Sequence, residues 1–357
     1  MTRVLQVMGR SAGGIARHVA DVVTALDGTD DLTIDIAGPV DLPLAMPKRV
    51  RQVAIPDGPV AGHRDAIRTL REFARGYDVV HAHGLRAGID AGIAARAPVR
   101  SLVTVHNLVR PEIAGWRTVL YRRAEGLAVV TNDHVFAVSE DIARRLRTAA
   151  PRHAGDVEVL YLGLSSEPIP RRGRDEVRAE LEVGTDAPLV VTVARLAPQK
   201  ALHVLLAAAE LSPRVVLAIL GEGPLQTALE VDARRRGLDD RVRFLGFRDD
   251  PHDYIAAADV FCLSSVWEGV PLAAQEAIRL RIPVVATDVG GMRELISNKL
   301  SGRLVPPGDP AALAKALGET MSSAEDRERF TQRALEDLEI RFSTARMLER
   351  LREAYAR

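Results

Sequence analysis

Two glutamates, Glu268 and Glu276, enclose the part of the chain best suited to chemistry. Between them a small-residue turn leads to Pro271, which favours the first position of a helix because its missing N–H would be unpaired there anyway. Unpaired N–H groups at the start of a helix attract anions, and the helix dipole adds to that attraction. The donors would be the N–H groups of Gly269, Val270 and Leu272. The segment therefore predicts a site for a phosphate or diphosphate.

The two carboxylates indicate what else the ligand contains. A carboxylate accepts two hydrogen bonds, so it can hold two neighbouring hydroxyl groups such as those of a ribose. Glu276 falls in the second turn of the predicted helix, about 6 Å further along at about 1.5 Å per residue. One carboxylate on each side of an anion site fits a nucleotide diphosphate sugar, with Glu268 toward the sugar and Glu276 toward the ribose. The alternative is an ordinary helix with one glutamate on its solvated face and the other in the preceding loop.

The elements around this segment favour ligand binding. The apolar runs 259–263 and 281–287 read as buried strands, and short apolar runs alternate with amphipathic helical stretches along the whole chain. Such alternation predicts an α/β fold with parallel sheets and helices on both faces. Open parallel sheets bind ligands at the carboxyl ends of their strands, which is where the segment 264–276 lies.

Length indicates the domain organisation. A chain of 357 residues predicts two domains, because single hydrophobic cores rarely grow much larger than about 250–300 residues. The strand–helix alternation breaks at 164–173, which is rich in serine, proline and arginine. This segment predicts a linker between a first domain, 1–165, and a second domain, 174–342.

Composition limits the class of protein. Hydrophobic residues make up 47% of the chain, but no apolar run reaches the roughly 18 residues of a membrane span. The chain enters a strand soon after Met1, so no signal peptide is expected, and the single Cys262 excludes an internal disulfide. The 48 basic and 48 acidic residues balance, which gives no indication of nucleic-acid binding. We expect a cytoplasmic protein.

Four arginines at helical spacing make one face of a predicted helix basic. A basic amphipathic helix can rest on anionic lipid, whereas the alternative is a solvated face balanced by neighbouring acids. We therefore expect membrane contact to be peripheral at most. The four residues are Arg64, Arg68, Arg71 and Arg75.

Two cations follow the apolar run 189–194, at the sheet edge expected to carry the two glutamates. Arg195 and Lys200 would there neutralise a diphosphate leaving group, unless they are ordinary surface cations. Gly13 and Gly14 separate the first strand from the first helix and would let a ligand approach the backbone closely, unless they form only a tight turn. The dinucleotide fingerprint and the Walker motif are both missing, so no such cofactor is predicted.

Histidines mark the ends of two further strands. His106 follows the apolar run 101–105, and a histidine at that end of an open sheet points into the ligand cleft. The alternative is a hydrogen-bonded structural histidine. His81 and His83 form a His-x-His pair that suggests a metal, but the sequence arranges no further ligand nearby, so no metal site is predicted.

Several motifs occur in an order typical of one family: Gly13-Gly14, Val138-Ser139-Glu140, Arg195 with Lys200, Gly221-Glu222-Gly223-Pro224, Glu268 to Glu276, and the run from Thr287 to Glu294. Together they resemble glycosyltransferase family 4, the retaining enzymes with the GT-B fold, over essentially the whole chain. The resemblance implies two Rossmann-like domains facing a cleft, with a UDP- or GDP-sugar donor on the second domain and an acceptor on the first. It also implies that the C-terminal helix, 343–357, packs back on the first domain.

Each motif then implies a role. Arg195 and Lys200 would hold the diphosphate of the donor. Glu268 would bind the hydroxyls of its sugar and Glu276 its ribose, while His106 would contact the sugar near the reacting carbon. Backbone groups that would approach the donor are those of Gly13, Gly14, Gly223, Gly269, Val270, Pro271 and Leu272.

Two positions depart from the family pattern. The lysine is usually followed by glycine, where this chain has Ala201. Leu162-Gly163 stands where Asn-Gly is usual. Both positions are peripheral to the expected chemistry.

The resemblance also implies a mechanism. A double displacement needs a carboxylate placed as nucleophile on the far face of the sugar, and the sequence identifies none. Retention in the family is usually explained by front-side attack, in which the leaving phosphate oxygen takes the acceptor's proton. The two cations and the helix dipole would stabilise the diphosphate without a metal ion or cofactor. The expected reaction moves a hexose-type sugar to an unidentified acceptor hydroxyl, with acceptor contacts on loops such as 108–116.

Two other interpretations share this architecture. A non-hydrolysing sugar-nucleotide epimerase would need acidic residues flanking the sugar, and the sequence of the first domain indicates no such set. A non-catalytic partner subunit would be expected to lack Arg195, Lys200 or Glu268, and all three are present.

Overall fold

The structure, a computed structural model, describes residues 1–10, 13–29, 31–39, 46, 48, 50–56, 61–108, 118–164, 166–184 and 186–356. The chain divides into two compact units, Met1–Ser165 with Ser343–Arg357, and Ser166–Phe342. The division falls inside the segment 164–173 that the sequence predicts as a linker. The predicted acceptor loop, 108–116, lies outside the described residues from 109 onward.

A parallel sheet of seven described strands forms the centre of the first unit. Its strands are β1 (Thr2–Met8), β2 (Leu32–Gly38), β3 (Val50–Gln52), β4 (Val79–His83), β5 (Arg100–Val105), β6 (His134–Ala137) and β7 (Val157–Val159), in the order β3-β2-β1-β4-β5-β6-β7. β1 pairs with β2 on one side and β4 on the other, and Val4 lies opposite Ile34 and Val79. Consecutive residues of β1 from Val4 to Met8 are all buried, so both faces of the sheet are covered there.

Helices connect these strands. Those described in the first part of the chain are α1 (Gly14–Leu26), α2 (His63–Ala74), α3 (Leu85–Ala94), α4 (Thr118–Val130) and α5 (Glu140–Ala149), and a 3-10 turn follows at Pro151–Asp156. In α1 the buried residues Val19, Val22, Val23 and Leu26 recur at the spacing of one helical face, which is why this stretch is helical. Ser139 begins α5 by accepting a hydrogen bond from the backbone N–H of Ile142.

The second unit repeats the plan with a parallel sheet of six described strands. The strands are β8 (Leu189–Val193), β9 (Val216–Leu220), β10 (Val242–Gly246), β11 (Val260–Leu263), β12 (Val284–Thr287) and β13 (Arg303–Val305), in the order β10-β9-β8-β11-β12-β13. The helices are α6 (Arg174–Glu180), α7 (Leu202–Glu210), α8 (Gln226–Arg235), α9 (Pro251–Ala257), α10 (Leu272–Arg279), α11 (Met292–Leu295), α12 (Pro310–Ser322) and α13 (Ala324–Arg341), with a 3-10 turn at Pro198–Lys200.

The two parallel sheets confirm the predicted α/β fold. The sequence does not predict β3, β7 and β13, and each of these strands has three residues. A strand of this length falls below the apolar runs of about four to eight residues by which strands are identified in a sequence. In the described parts of the chain, no helix combines the length and the apolar character needed to cross a bilayer.

The basic face of α2 is smaller than its sequence predicts. Arg64, Arg68 and Arg75 are exposed. Arg71 is half-buried and donates a hydrogen bond to the carbonyl of Ile93 at 3.1 Å. Because Ile93 lies near the end of α3, this arginine satisfies a carbonyl of that helix rather than facing solvent with the other three.

The last helix, α14 (Thr344–Ala356), packs on the first unit. Met347, Leu351 and Tyr355 belong to the hydrophobic core of that unit. Arg350 donates two hydrogen bonds of 2.7 Å to the two carboxylate oxygens of Glu158. Glu158 lies on β7, the edge strand that pairs with β6. This bidentate pair fixes the helix along the sheet, since it constrains both position and orientation.

Five buried side chains form one hydrogen-bonded line in the core of the first unit. We call this set the polar chain: Thr104, His81, Tyr355, Gln6 and His83. Gln6 Nε2 donates to the Tyr355 hydroxyl at 2.9 Å, so the hydroxyl gives its own proton to His81 Nδ1 at 2.7 Å. His81 Nε2 then donates to Thr104 Oγ1 at 2.8 Å. His83 Nε2 donates to Gln6 Oε1 at 2.6 Å, so each of the five side chains has a hydrogen-bond partner within the polar chain.

The Tyr355 hydroxyl joins α14 to β1 and β4 through this polar chain. We expect Tyr355→Phe to lower the stability of the first unit by about 1–3 kcal/mol, because two buried partners lose their hydrogen bond. Hydrogen exchange of the β1 and β4 amides measures this loss directly. Tyr121→Phe is the matched control, since the half-buried Tyr121 has no hydrogen bond to a described side chain. Equal protection of β1 in both variants would contradict the role given to the polar chain.

Candidate functional site

The predicted residues of the second unit follow adjacent strands. β8 and β11 are neighbours in the sheet, and Arg195 and Lys200 follow β8 while Glu268 follows β11. All the strands of this sheet are parallel, so these loops leave from the same edge. The topology therefore brings together residues that are 68 positions apart in the chain.

Lys200 and Glu268 form an ion pair. Lys200 Nζ lies 2.5 Å from Glu268 Oε1, and the Ser265 hydroxyl donates to the same oxygen. The side chains are 18% exposed for Lys200 and 6% for Glu268, so the pair is largely shielded from water. No described residue donates a hydrogen bond to Glu268 Oε2. That oxygen is therefore available to accept hydrogen bonds from a ligand.

Hydrogen bonds hold the two loops together. The Ser264 hydroxyl donates to the carbonyl of Lys200 at 2.9 Å. Gln199 Nε2 donates to the carbonyl of Trp267 at 2.9 Å, and the N–H of Val266 donates to the carbonyl of Gln199 at 2.9 Å. Because these bonds lie on both sides of the ion pair, they set its geometry before any ligand binds.

Ala201 follows the lysine where the family pattern has glycine, and its backbone explains that preference. Its φ of +44° is in the left-handed region, which costs a residue with a Cβ about 1–2 kcal/mol. Ala201 is 1% exposed and packs in the core of the second unit. The chain thus holds a left-handed residue with a Cβ beside Lys200 and accepts the strain.

Two glycines after β12 allow the Glu268 turn to pack. A Cβ on Gly290 would lie 2.1 Å from the carbonyl oxygen of Glu268, and a Cβ on Gly291 would lie 2.1 Å from that of Gly269. Side chains are excluded at both positions, because a Cβ atom does not approach another atom below 3.0 Å. These glycines support the site without belonging to the predicted ligand contacts.

Gly223, predicted to bind the donor, has a similar packing role. A Cβ on Gly223 would lie 2.4 Å from the carbonyl oxygen of Leu196, next to Arg195. The backbone N–H of Leu196 in turn donates to the carbonyl of Glu222 at 2.9 Å. The Arg195 side chain is exposed and makes no hydrogen bond or ion pair with a described residue. Its guanidinium group is therefore able to turn toward a ligand.

The helix α10 begins one residue later than predicted. Pro271 is its N-cap, with φ −72° and ψ 124°, and Leu272 is the first helical residue. The carbonyl of Pro271 accepts from the N–H groups of Ala274 and Gln275 at 3.2 and 3.4 Å. The later start of the helix does not remove the predicted donors. The N–H groups of Gly269, Val270 and Leu272 have no acceptor among the described residues.

Glu276 has a partner that the sequence did not indicate. It lies in the second turn of α10 and is 4% exposed. His252 on α9 places Nε2 3.2 Å from Glu276 Oε1. The local sequence around His252 carries no signal for this contact, since helical periodicity does not say which neighbouring helix a side chain meets.

The predicted residues of the first unit lie at the carboxyl ends of its central strands. Gly13 has φ +105°, a conformation suited to glycine, and a Cβ there would meet nothing within 4 Å. Gly14 begins α1. The neighbouring residues 11 and 12 lie outside the described part of the chain. The backbone at Gly13 is thus open on the side where a Cβ would stand.

His106 lies in a triangle of three histidines. His106 Nε2 is 3.1 Å from His83 Nδ1, and the ring centres of His18, His83 and His106 are 5.4–5.5 Å apart. His83 already donates through Nε2 to Gln6, so its Nδ1 accepts the proton of His106 Nε2. His106 is thereby attached to the end of the polar chain, and indirectly to the C-terminal helix.

Burial keeps these imidazoles neutral. Loss of hydration lowers the pKa of His18 to about 4 and lowers the pKa of His106 and His83 well below their usual range. The neighbouring histidines disfavour any second positive charge and lower the pKa of His83 and His106 further. The sequence did not single out His18, because it stands alone within a helix and only the fold brings it to the other two.

Two family descriptions match successive parts of the chain. Residues 173–337 match the glycosyl transferases group 1, and residues 12–167 match glycosyltransferase family 4. The two matches correspond to the second and first units. They meet inside the segment predicted as a linker.

Known proteins show the same relationship. The D-inositol 3-phosphate glycosyltransferase of Mycolicibacterium smegmatis is 31% identical over 297 residues, which is 79% of this chain and 67% of that protein. The lipopolysaccharide core biosynthesis glycosyltransferase LpsE of Rhizobium meliloti is 33% identical over 166 residues. That match spans 46% of this chain and about half, 49%, of LpsE.

The crystal structure of Anabaena HepE in complex with UDP-glucose aligns with a TM-score of 0.85 at 22% identity, covering 100% of both chains. At this identity the likeness establishes the fold, and the predicted GT-B fold is confirmed. Sequence matches over both units and the shared fold agree with the resemblance carried by the motifs. The chain belongs to glycosyltransferase family 4, and its second unit matches the glycosyl transferases group 1.

Proposed function

We propose that the protein is a retaining glycosyltransferase that moves a hexose-type sugar from a UDP- or GDP-sugar to an acceptor hydroxyl without a metal ion. The observation that carries the proposal is the shielded Lys200–Glu268 pair beside the unpaired N–H groups at the start of α10. It supports the proposal because a cation, a hydrogen-bond acceptor and anion-binding donors come from the pair and from the residues that follow Glu268. A sugar diphosphate needs all three.

The diphosphate would bind between the cations and the helix. Lys200 and the exposed Arg195 supply positive charge from one loop, and Gly269, Val270 and Leu272 supply N–H donors from another. The complex of HepE with UDP-glucose supports a donor of this class, because that protein shares the fold. The base is either uracil or guanine.

The carboxylates would orient the rest of the donor. Glu268 Oε2 accepts sugar hydroxyls, while Oε1 stays with Lys200 and Ser265. Glu276 accepts from the ribose hydroxyls, and His252 holds its carboxylate in place. His106 is neutral and gives its one ring proton to His83, so its Nδ1 would accept a hydrogen bond from a sugar hydroxyl near the reacting carbon.

The chemistry follows from where charge develops. As the bond between the sugar C1 and the phosphate oxygen breaks, negative charge grows on the diphosphate, and Lys200, Arg195 and the start of α10 stabilise it. The acceptor oxygen bonds to C1 on the same face and passes its proton to the departing phosphate oxygen. Attack on the face that the leaving group vacates retains the configuration at C1. No carboxylate nucleophile is required.

The acceptor would be met in the cytoplasm, with peripheral membrane contact at most. The three exposed arginines of the α2 region support contact with an anionic surface. Each would add about 1 kcal/mol near such a surface, so adsorption would be weak and sensitive to salt.

Metal independence is tested by chelation. We expect hydrolysis or transfer of the active nucleotide sugar to continue unchanged after EDTA treatment, because Arg195 and Lys200 neutralise the diphosphate themselves. The measurement is release of UDP or GDP across a panel of UDP- and GDP-hexoses, with and without EDTA. Complete loss of activity that Mn²⁺ restores would contradict the metal-free reaction.

Lys200→Ala is expected to lower turnover by roughly 100-fold or more, because it removes a charge that stabilises the leaving group. Steady-state release of nucleoside diphosphate measures the effect. Lys315→Ala is the matched control, since the Lys315 side chain is 79% exposed and its one recorded ion pair, with Glu319, is long at 3.9 Å. A melting curve of the unliganded variant measures the stability lost with the ion pair, so that this loss is not mistaken for a loss of catalysis. Turnover within a factor of two of the native protein would refute the role of Lys200.

A further inference from the structure

We propose that His18, His83 and His106 form a binding site for a transition-metal ion of the Zn²⁺ class. Each imidazole offers one ring nitrogen, and these three nitrogens lie within 4.8 Å of one another. The residues come from three elements that meet at one edge of the sheet: α1, the end of β4 and the residue after β5. The three histidines belong to the first unit, whereas Lys200 and Glu268 belong to the second.

His18 supplies an independent observation. It is 3% exposed, and its Nε2 has no hydrogen-bond partner among the described residues. A buried polar nitrogen without a partner is costly, so its presence indicates a ligand that satisfies it. His18 lies edge-on to the rings of both His83 and His106, with centroid distances of 5.5 and 5.4 Å. One ring nitrogen of His18 lies within 4.8 Å of ring nitrogens of His83 and His106, so a cation bound by those two rings would contact this ring as well.

The hydrogen bonds around His83 prepare it as a ligand. Its Nε2 donates to Gln6 Oε1, which leaves the lone pair of Nδ1 facing His106. Gln6 is itself held by Tyr355 at 2.9 Å. A metal-bound histidine commonly donates its second nitrogen to such an acceptor, which fixes the ring and strengthens the ligand.

Metal binding would replace one hydrogen bond. His106 Nε2 now donates to His83 Nδ1, so His106 would move its proton to Nδ1 and use Nε2 as a ligand. Zn–N bonds of about 2.0–2.1 Å in tetrahedral geometry bring ligand nitrogens to about 3.3 Å apart. Small ring rotations would close the three nitrogens from their present separation, and a fourth position would stay open for water.

The ligand set selects the type of ion. Three neutral imidazoles without a carboxylate suit Zn²⁺, Co²⁺, Ni²⁺ and Cu²⁺. Mg²⁺ and Ca²⁺ prefer oxygen ligands and would not bind here. A bound metal would take up the lone pair of His106, so occupancy of the metal site would inhibit glycosyl transfer. This consequence rests on the proposed function.

Titration of Zn²⁺ into the full-length, untagged protein after EDTA treatment and dialysis tests the site. We expect calorimetry to give one Zn²⁺ per chain, and Co²⁺ to give the visible absorption of tetrahedral coordination. His18→Gln and His106→Asn should each weaken Zn²⁺ binding by roughly 10-fold or more, because each loses a direct ligand. His153→Asn, whose side chain is 47% exposed, should bind as the native protein does. Mg²⁺ should give no binding heat.

Two results would overturn the site: no Zn²⁺ binding to the native chain, or a stoichiometric site that survives both His18→Gln and His106→Asn. His18 is buried and His106 is only half-buried, so the two substitutions perturb the core to different extents. If one variant does not fold, Zn²⁺ binding by the other variant still tests the site. Inhibition is measured separately, as loss of donor turnover on adding Zn²⁺ and recovery on adding EDTA. Binding without inhibition would support the metal site and contradict the role of His106 in transfer.

Discussion

The ion pair between Lys200 and Glu268 is the interaction on which the site of the second unit depends. Removing both charges from water is costly, and at a largely shielded position only close approach and further hydrogen bonds offset that cost. Here a 2.5 Å contact and the Ser265 hydroxyl converge on one carboxylate oxygen. The other oxygen is left for a ligand. A diphosphate arriving beside Lys200 would therefore meet a cation whose position is already set, which lowers the reorganisation needed for catalysis.

The backbone around the pair is built for close approach. Gly290 and Gly291 allow the loop after β12 to lie against the Glu268 turn, and Gly223 allows another loop to lie against Leu196. Ala201 adopts a left-handed conformation beside Lys200 although it carries a Cβ. Such conformations persist where the surrounding structure determines them strongly, and they concentrate at functional sites. The strain at Ala201 is consistent with a loop whose shape matters more than its local stability.

The sequence predicts the fold and the segment 264–276 because both depend on local patterns: apolar runs, turn residues and proline at a helix start. It does not predict which side chains meet. Glu276 pairs with His252 from another helix, and Gln6 bonds to Tyr355 across 349 positions of the chain. The periodicity of apolar residues shows which face of a helix or strand is buried, but it does not show which other element packs against that face. For the same reason His83, one of a His-x-His pair with no third ligand nearby in sequence, joins His18 and His106 in a three-histidine cluster of the folded unit.

The configuration of the sugar after the first turnover tests the account most directly. Nucleotide sugars hydrolyse slowly in glycosyltransferases when no acceptor is present, and proton NMR of the anomeric hydrogen identifies which anomer of the free sugar forms first. With an α-linked UDP- or GDP-hexose and EDTA-treated protein, front-side displacement at the Lys200–Glu268 site predicts that the α-anomer accumulates first and then equilibrates. First appearance of the β-anomer would show attack from the far face of the sugar and would contradict the account.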